Sequence, residues 1–278
     1  MNISYSAWKN YKECPKKYFY KNIRNVPSTI PRNDYYTLYG RLTEKFFEYF
    51  SNIWRFNLPY MTPIDIRNRL EMVYTDILNT SIVDWSSPIA KYSKEEIFEQ
   101  SYKDICAIMD SMNQNFFLNT KSEVSIDVKL KDNVHIKGRI DFIHKDAITP
   151  DILIFDGKGT DKLGKNVDEN QLLFYALQYY FHYKVLPSQL GFFYYRFNAF
   201  KPVNINIDIM NEFRAKLSLD IKKMLEENFT ATPCSKSCRY CDYRLTCSDL
   251  REYAAKRKKK SKIEFPSNEE ICEFGFNI

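Results

Sequence analysis

The 278-residue chain is long enough to bury a full hydrophobic core, as one large domain or as a core with a helical insertion, so its stability needs no disulfide. Its longest apolar runs, such as QLGFFYY at 189–195 and ILIF at 152–155, are too short to span a bilayer, and the N-terminal MNISYSAWKNY lacks the basic-then-apolar order of a secretion signal; the chain reads as cytosolic. The net charge of +6 is local: residues 251–262 hold seven of the 41 basic and one of the 35 acidic groups, which leaves 34 of each elsewhere, so the basic character is a short tail that either touches phosphates or is simply solvated.

Residues 4–23 and 39–57 carry aromatic and charged residues at helical spacing. Residues 63–80 and 93–118 continue the pattern, with Pro63 at a helix start. From residue 122 the period changes. EVSIDVKL alternates apolar and polar residues, VHIKGRIDFI follows the short turn KDN, and DILIF is a continuous apolar run of the buried-strand type. Residues 168–186 return to helix, 189–196 and 202–208 read as strands, and 210–228 as a last helix. This order predicts an α/β fold with a helical N-terminal half and a central sheet flanked by helices. The expected organisation is one domain over 1–250, with a helical region at 40–120, a sheet at 121–208 and a C-terminal helix with a cysteine cluster at 209–250, followed by a basic, flexible tail at 251–278.

The stretch GRIDFIHKDAITPDILIFDGK, from Gly138 to Lys158, concentrates the chemistry. It sets Asp141 in one apolar segment, Asp156 at the end of the next, and Lys158 two residues further on. Two carboxylates and a lysine at neighbouring strand ends suit a hard cation and a water molecule, hence metal-dependent hydrolysis, with Lys158 orienting the water or offsetting charge that develops on a phosphate. The alternative is a pair of solvated aspartates at strand edges. Of only seven glycines, Gly138, Gly157 and Gly159 surround the two aspartates, where they are expected to let a phosphate or metal approach the backbone. Gln171 and Tyr175 stand four apart in NQLLFYALQYY and so share a helix face, although a tyrosine on an aromatic-rich helix also serves as core.

GRIDFI, IFDGKGT and QLLFY together resemble the motifs of the RecB-like branch of the PD-(D/E)XK nucleases. The resemblance implies a restriction-endonuclease-like core with a central mixed sheet. It also implies Mg or Mn held by Asp141 and Asp156, water activated with Lys158, and Gln171 and Tyr175 facing DNA. Glu123 matches a common acidic position of the branch. Where the branch usually carries a histidine in a G-x-x-x-H arrangement, YGRLTEKFFE places Glu44 four residues after Gly40. A carboxylate is a competent oxygen ligand, so Glu44 is the candidate third ligand; the alternative is an exposed glutamate beside Glu48 on one helix face. The implied activity is metal-dependent exonuclease action on DNA ends, single-stranded and 5′ to 3′, in recombination, repair or replication. A non-catalytic DNA-binding or assembly subunit is the competing reading. No G-x-x-x-x-G-K-[ST] motif occurs, and Gly164-Lys165-Asn166 is no substitute, so a helicase would be a separate partner.

Four of the seven cysteines fall in CSKSCRYCDYRLTC, as Cys234, Cys238, Cys241 and Cys247, and Cys14 lies far upstream in KECPKKYFY. In a cytosolic chain such a cluster favours ligation over disulfides. The local quartet is able to close a tetrahedral zinc site. The spacing C-x2-C-x5-C with a distant N-terminal cysteine instead resembles the iron–sulfur nucleases of the same branch, such as the AddB nuclease and the CRISPR-associated RecB-like exonucleases. That resemblance implies a [4Fe-4S] cluster on Cys14, Cys238, Cys241 and Cys247, clamping the N- and C-terminal segments, with Cys234 spare. Cys106 and Cys272 match nothing and read as a buried small residue and a tail thiol. Trp8, Tyr11, Tyr18 and Phe19 either stack on bases of a single strand or pack their helix. The tail EEICEFGFNI, with Ile271, Phe274 and Phe276, either docks on a partner or is disordered. High Asn, Lys and Tyr with little Gly suggest an AT-rich genome such as a virus, which would place the protein in a host cytoplasm; the oligomeric state stays open.

Overall fold

The computed structural model describes residues 1–56, 60–88, 90–111, 115–164 and 167–260. The described residues form two compact units, one of residues 1–3, 33–85 and 92–215, the other of residues 4–32, 86–91 and 216–260.

The first unit is built on a mixed sheet of β1 (Asn2–Ile3), β2 (Thr120–Lys129), β3 (His135–Lys145), β4 (Ile152–Lys158), β5 (Gln189–Tyr194) and β6 (Ala199–Val203). β3 is the hub. β2 runs antiparallel along one edge, from Thr120↔His144 to Lys129↔His135. The other edge is shared by β1, parallel at Asn2↔His135 and Ile3↔Ile136, and by β4, antiparallel from Phe142↔Phe155 to Lys145↔Ile152. β5 lies parallel to β4 and β6 antiparallel to β5. The β2–β3 connection turns through Asp132 and Asn133, both in the left-handed region that short polar side chains tolerate and tight hairpins require.

Helices α3 (Leu38–Asn52), α4 (Pro63–Thr80), α5 (Lys94–Ser111), α6 (Asn115–Leu118) and α7 (Glu169–Tyr183) flank this sheet. α3 buries Leu38, Leu42, Phe46 and Phe50, one residue per turn. Its Phe47 ring stacks on Phe117 at 4.5 Å. α4 opens on a capping box, the Thr62 side chain accepting from the Asp65 N–H while the Asp65 carboxylate accepts from the Thr62 N–H. α7 is capped by Asp168 and ends at Lys184, whose φ of 61° stops the helix. The expected mixed sheet with flanking helices is therefore present. The last strand differs, starting at Ala199 rather than at 202. A 3-10 turn over Tyr195–Phe197 and a left-handed Asn198 reverse the chain early. Asn206 Oδ1 then accepts from the Ile209 N–H and starts α8 (Ile207–Leu225) directly after the strand.

In the second unit, residues 4–23 are not one helix. α1 (Tyr5–Glu13) ends at an extended Cys14, and Pro15 opens α2 (Pro15–Tyr18), because proline disfavours helical geometry in the residue before it. Trp8, Tyr11 and Tyr18 are buried, and Phe19 stacks on Phe229 at 5.2 Å, so these aromatics pack. The Trp8 Nε1–H donates to Asp220 Oδ2 at 2.9 Å, and the Tyr243 hydroxyl donates to the Val26 carbonyl at 3.0 Å. α9 (Ser235–Cys238) and α10 (Ser248–Lys260) complete the unit. α10 makes the first ten residues of the basic segment helical; residues 261–278, including Cys272, Ile271, Phe274 and Phe276, lie outside the described residues. Among the described residues no helix is long and apolar enough to cross a membrane.

Candidate active site

β3 and β4 deliver the two aspartates side by side. Phe142 and Phe155 are the last paired residues of that ladder, and Asp141 and Asp156 stand one step beyond them. Asp156 is buried at 2% exposure. The Lys158 ammonium ion-pairs with Asp156 Oδ2 and also lies 5.2 Å from the Phe192 ring centroid. α7 closes the site from its first two turns. The Gln171 amide donates to Asp156 Oδ1 at 2.8 Å and to the Tyr175 hydroxyl at 3.1 Å, and that hydroxyl donates to Asp141 Oδ1 at 3.0 Å. Gln171 and Tyr175 thus hold the two carboxylates in place.

Glu123 arrives from β2. It lies between the pairs Ser122↔Phe142 and Val124↔Ile140 and so falls opposite Asp141. Its φ of 53° is uncommon for a residue with a β-carbon, and strain of this kind concentrates at functional sites. Arg139 ion-pairs with Glu123, Nε standing 2.7 Å from Oε2. Glu44 comes from α3. Carboxylate oxygens of Glu44, Glu123 and Asp141 lie within 4.8 Å of one another, the one such group of three metal-ligating side chains among the described residues. The sequence-expected set was Glu44, Asp141 and Asp156. The structure gathers all three and adds Glu123, with Asp156 engaged by Lys158 and Gln171.

Crowding of like charges in a poorly hydrated site raises the proton affinity of the triad. Burial first, and then Asp156 and Glu123, lift Glu44 to about 7. Burial and then Asp156 hold Asp141 well above the usual carboxylate range, while the Tyr175 hydroxyl works in the opposite direction. Glu123 is raised by burial, with Arg139 opposing. Three hard oxygen donors that repel one another are a suitable donor set for Mg or Mn, since a divalent cation relieves that repulsion. Beside Glu44 and Glu123 a cleft of about 630 Å³ is lined by Arg41, Lys45 and Arg139 together with Glu48 and Asp76, over Tyr49, Val73 and Ile77.

The glycines serve packing by the protein itself rather than approach by a ligand. A methyl on Gly138 would meet the Gln178 amide at 3.0 Å, one on Gly157 would collide with the Tyr195 hydroxyl, and one on Gly159 would meet Gly40. Neither Tyr195, one of several aromatics in QLGFFYYRF, nor Arg139 in GRIDFI carries a sequence signal that marks it as part of the site.

In the second unit, Cys14, Cys238, Cys241 and Cys247 line one pocket with Lys16, Lys17 and Arg244. Backbone N–H groups point at the sulfurs: Thr232 N–H donates to Cys14 Sγ at 3.5 Å and Cys234 N–H to Cys238 Sγ at 3.3 Å. Cys234 does something else, its sulfur accepting from the Ser237 N–H at 3.3 Å to cap α9. Cys106, on α5, is half-buried rather than buried.

A model of the PD-(D/E)XK nuclease superfamily matches residues 2–248. None of the curated proteins compared matches the chain. Among solved structures, the one titled "Crystal structure of SSO0001" is similar at 14% identity with a TM-score of 0.32, over 75% of this chain and 95% of that one.

Proposed function

The chain belongs to the PD-(D/E)XK nuclease superfamily, and from that premise we propose that it is a Mg- or Mn-dependent exonuclease acting on single-stranded DNA ends. The observation that carries this reading is the convergence of Glu44, Glu123 and Asp141 on one point, next to the Asp156–Lys158 pair. In this reading Glu44, Glu123 and Asp141 hold the cation and Asp156 completes its surroundings. The bound ion would supply Lewis-acid polarisation of a phosphate oxygen and a more acidic water.

The chain's own groups do the rest. Lys158 is positioned to orient the attacking water and to stabilise negative charge on the phosphate, a role that Asp156 and the Phe192 ring fix by holding its ammonium. Gln171 and Tyr175 keep the aspartates in one geometry by donating to an oxygen of each. Arg41, Lys45 and Arg139 line the adjoining cleft, each ion-paired (to Asp34, Glu48 and Glu123), so a phosphate would compete with those carboxylates for them.

The second unit is proposed to carry a [4Fe-4S] cluster on Cys14, Cys238, Cys241 and Cys247, with a structural role. One feature favours this set over a local zinc quartet: the four sulfurs share one pocket that Cys234 does not line. The N–H groups aimed at Cys14 and Cys238 are of the kind that stabilise cluster thiolates. A recombination, repair or replication setting with a separate helicase fits this activity.

The experiment that tests the substrate compares linear single strands labelled at either end, their duplex counterparts and a circular single strand, each with Mg or Mn. Progressive loss from the 5′ end of the linear strand with the circle intact is expected. Cleavage of the circle would replace exonuclease by endonuclease action. Binding with no cleavage of any substrate would favour a DNA-binding subunit.

A further inference from the structure

Tyr195 combines three properties that a simple packing role does not require. Its side chain is 2% exposed, yet its hydroxyl has no hydrogen-bond partner. Leaving such a group unmade in a protein interior is costly, and an orphaned buried hydroxyl is uncommon enough to call for a cause. Its ring stacks on Phe47 of α3 at 5.8 Å, and Glu44 sits three residues earlier on the same helix, on the same side. Its oxygen fills the space over Gly157, the residue between Asp156 and Lys158, where any β-carbon would collide with it. The hydroxyl therefore lies on the face of β4 that Gly157 presents, within electrostatic reach of Glu44, Asp141 and Asp156. Burial first, and then the charges of Glu44, Asp141 and Asp156, keep the phenol protonated, so it is available only as an uncharged donor.

We infer that Tyr195 is a positioning residue of the metal site, its hydroxyl donating to the Glu44 carboxylate once that carboxylate serves as a ligand. The inference rests on the metal-site reading above. Glu44 offers its carboxylate on a long, flexible side chain, which needs an orienting donor to hold one rotamer. Such outer donors fix the rotamer of a ligand and commonly contribute 10- to 100-fold in metal affinity. The unpaired Tyr195 hydroxyl, on a ring stacked against the Glu44 helix, is placed to serve as that donor.

The test is Tyr195→Phe, which removes one oxygen and keeps the ring stack. Manganese binding is measured by calorimetry on the full chain, beside thermal melting without metal. The expected result is about a tenfold loss of Mn affinity with an unchanged or higher metal-free melting temperature. In the Glu44→Gln background the same substitution should cost nothing further, because the hydroxyl acts through Glu44. Equal Mn affinity in wild type and Tyr195→Phe overturns the inference, and so does a tenfold loss that persists in Glu44→Gln. If wild type itself binds no Mn while Asp141→Asn behaves identically, the metal-site reading fails first, and the inference falls with it.

Discussion

Gly159 and Gly40 touch where the end of β4 meets the first turn of α3: a β-carbon on Gly159 would stand 2.5 Å from the Gly40 Cα and 2.9 Å from its nitrogen. Both atoms are backbone, so neither can swing aside. This contact sets the height of α3 over the strand ends and hence places Glu44, one turn further along the helix, beside Asp141. Gly159→Ala is expected to push α3 outward, at a cost of about 1–3 kcal/mol for overpacking. Metal affinity should fall with it although no ligand has changed; parallel melting and Mn titration of the variant check this.

The acidic triad makes metal-free stability depend on pH in a definite direction. Glu44 titrates near 7 in the folded chain against an ordinary value of 4.5. Between those values the folded state keeps a proton that the unfolded chain releases. The stabilisation is thus present below about 4.5 and lost as pH rises through about 7. Glu123 and Asp141, also raised, act with the same sign. Glu44→Gln should be more stable than wild type at pH 8 without metal, by no more than about 3 kcal/mol. Saturating Mg or Mn should abolish the advantage. Melting curves of both proteins across pH 5 to 8, with chelator and with metal, measure it.

Much of this site was legible because strands have a period of two. The KDN turn joins two runs whose lengths force a register, and that register sets Glu123 opposite Asp141; the acidic position could have been promoted from that arithmetic alone. The D-x-K pair and the Gln171–Tyr175 face are local patterns, and they came through as local geometry. What the sequence could not yield is distance between remote segments. That Gly159 packs on Gly40, or that Tyr195 fills the space over Gly157, depends on how helices lie against the sheet. The boundary of β6 is hidden for a related reason, since a left-handed Asn198 reverses the chain without any change in hydrophobic period.

Tyr175→Phe removes the donor to Asp141 while preserving the buried ring. Because that hydroxyl favours the charged aspartate, its loss should raise the proton affinity of Asp141 further. The acidic limb of the cleavage pH profile is expected to move upward, with a smaller effect on rate at high pH. An unshifted profile with a uniformly lower rate would mean that Tyr175 contacts substrate instead.

The cysteine assignment separates Cys234 from its neighbours. Protein purified without oxygen should contain iron and sulfide and be brown. Cys14→Ser and Cys241→Ser should lose the colour and much thermal stability, whereas Cys234→Ser should keep its iron and lose only a helix cap worth about 1 kcal/mol or less. Stoichiometric zinc, lost in Cys234→Ser and retained in Cys14→Ser, would identify the local quartet as the ligands.

Lys158→Met tests the proposed division of labour between the ligands and the lysine. The variant leaves Asp156 without its ammonium partner, although Gln171 still donates to it. Metal binding should survive, while the cleavage rate should fall by roughly 10²- to 10³-fold, as for removal of one preorganised stabiliser of developing charge. Retained cleavage at the wild-type rate would remove Lys158 from the chemistry.

The most direct test of the central claim is the degradation of an end-labelled single strand by wild type and Asp141→Asn, each with chelator, Mg and Mn. Asp141 joins β3 to the Glu44 and Glu123 carboxylates and accepts from Tyr175, so the whole arrangement turns on it. Wild type should degrade the strand only with metal, and Asp141→Asn should show no loss above background at equal folded concentration. Cleavage by wild type in chelator, or equal cleavage by the two proteins in metal, would contradict the claim.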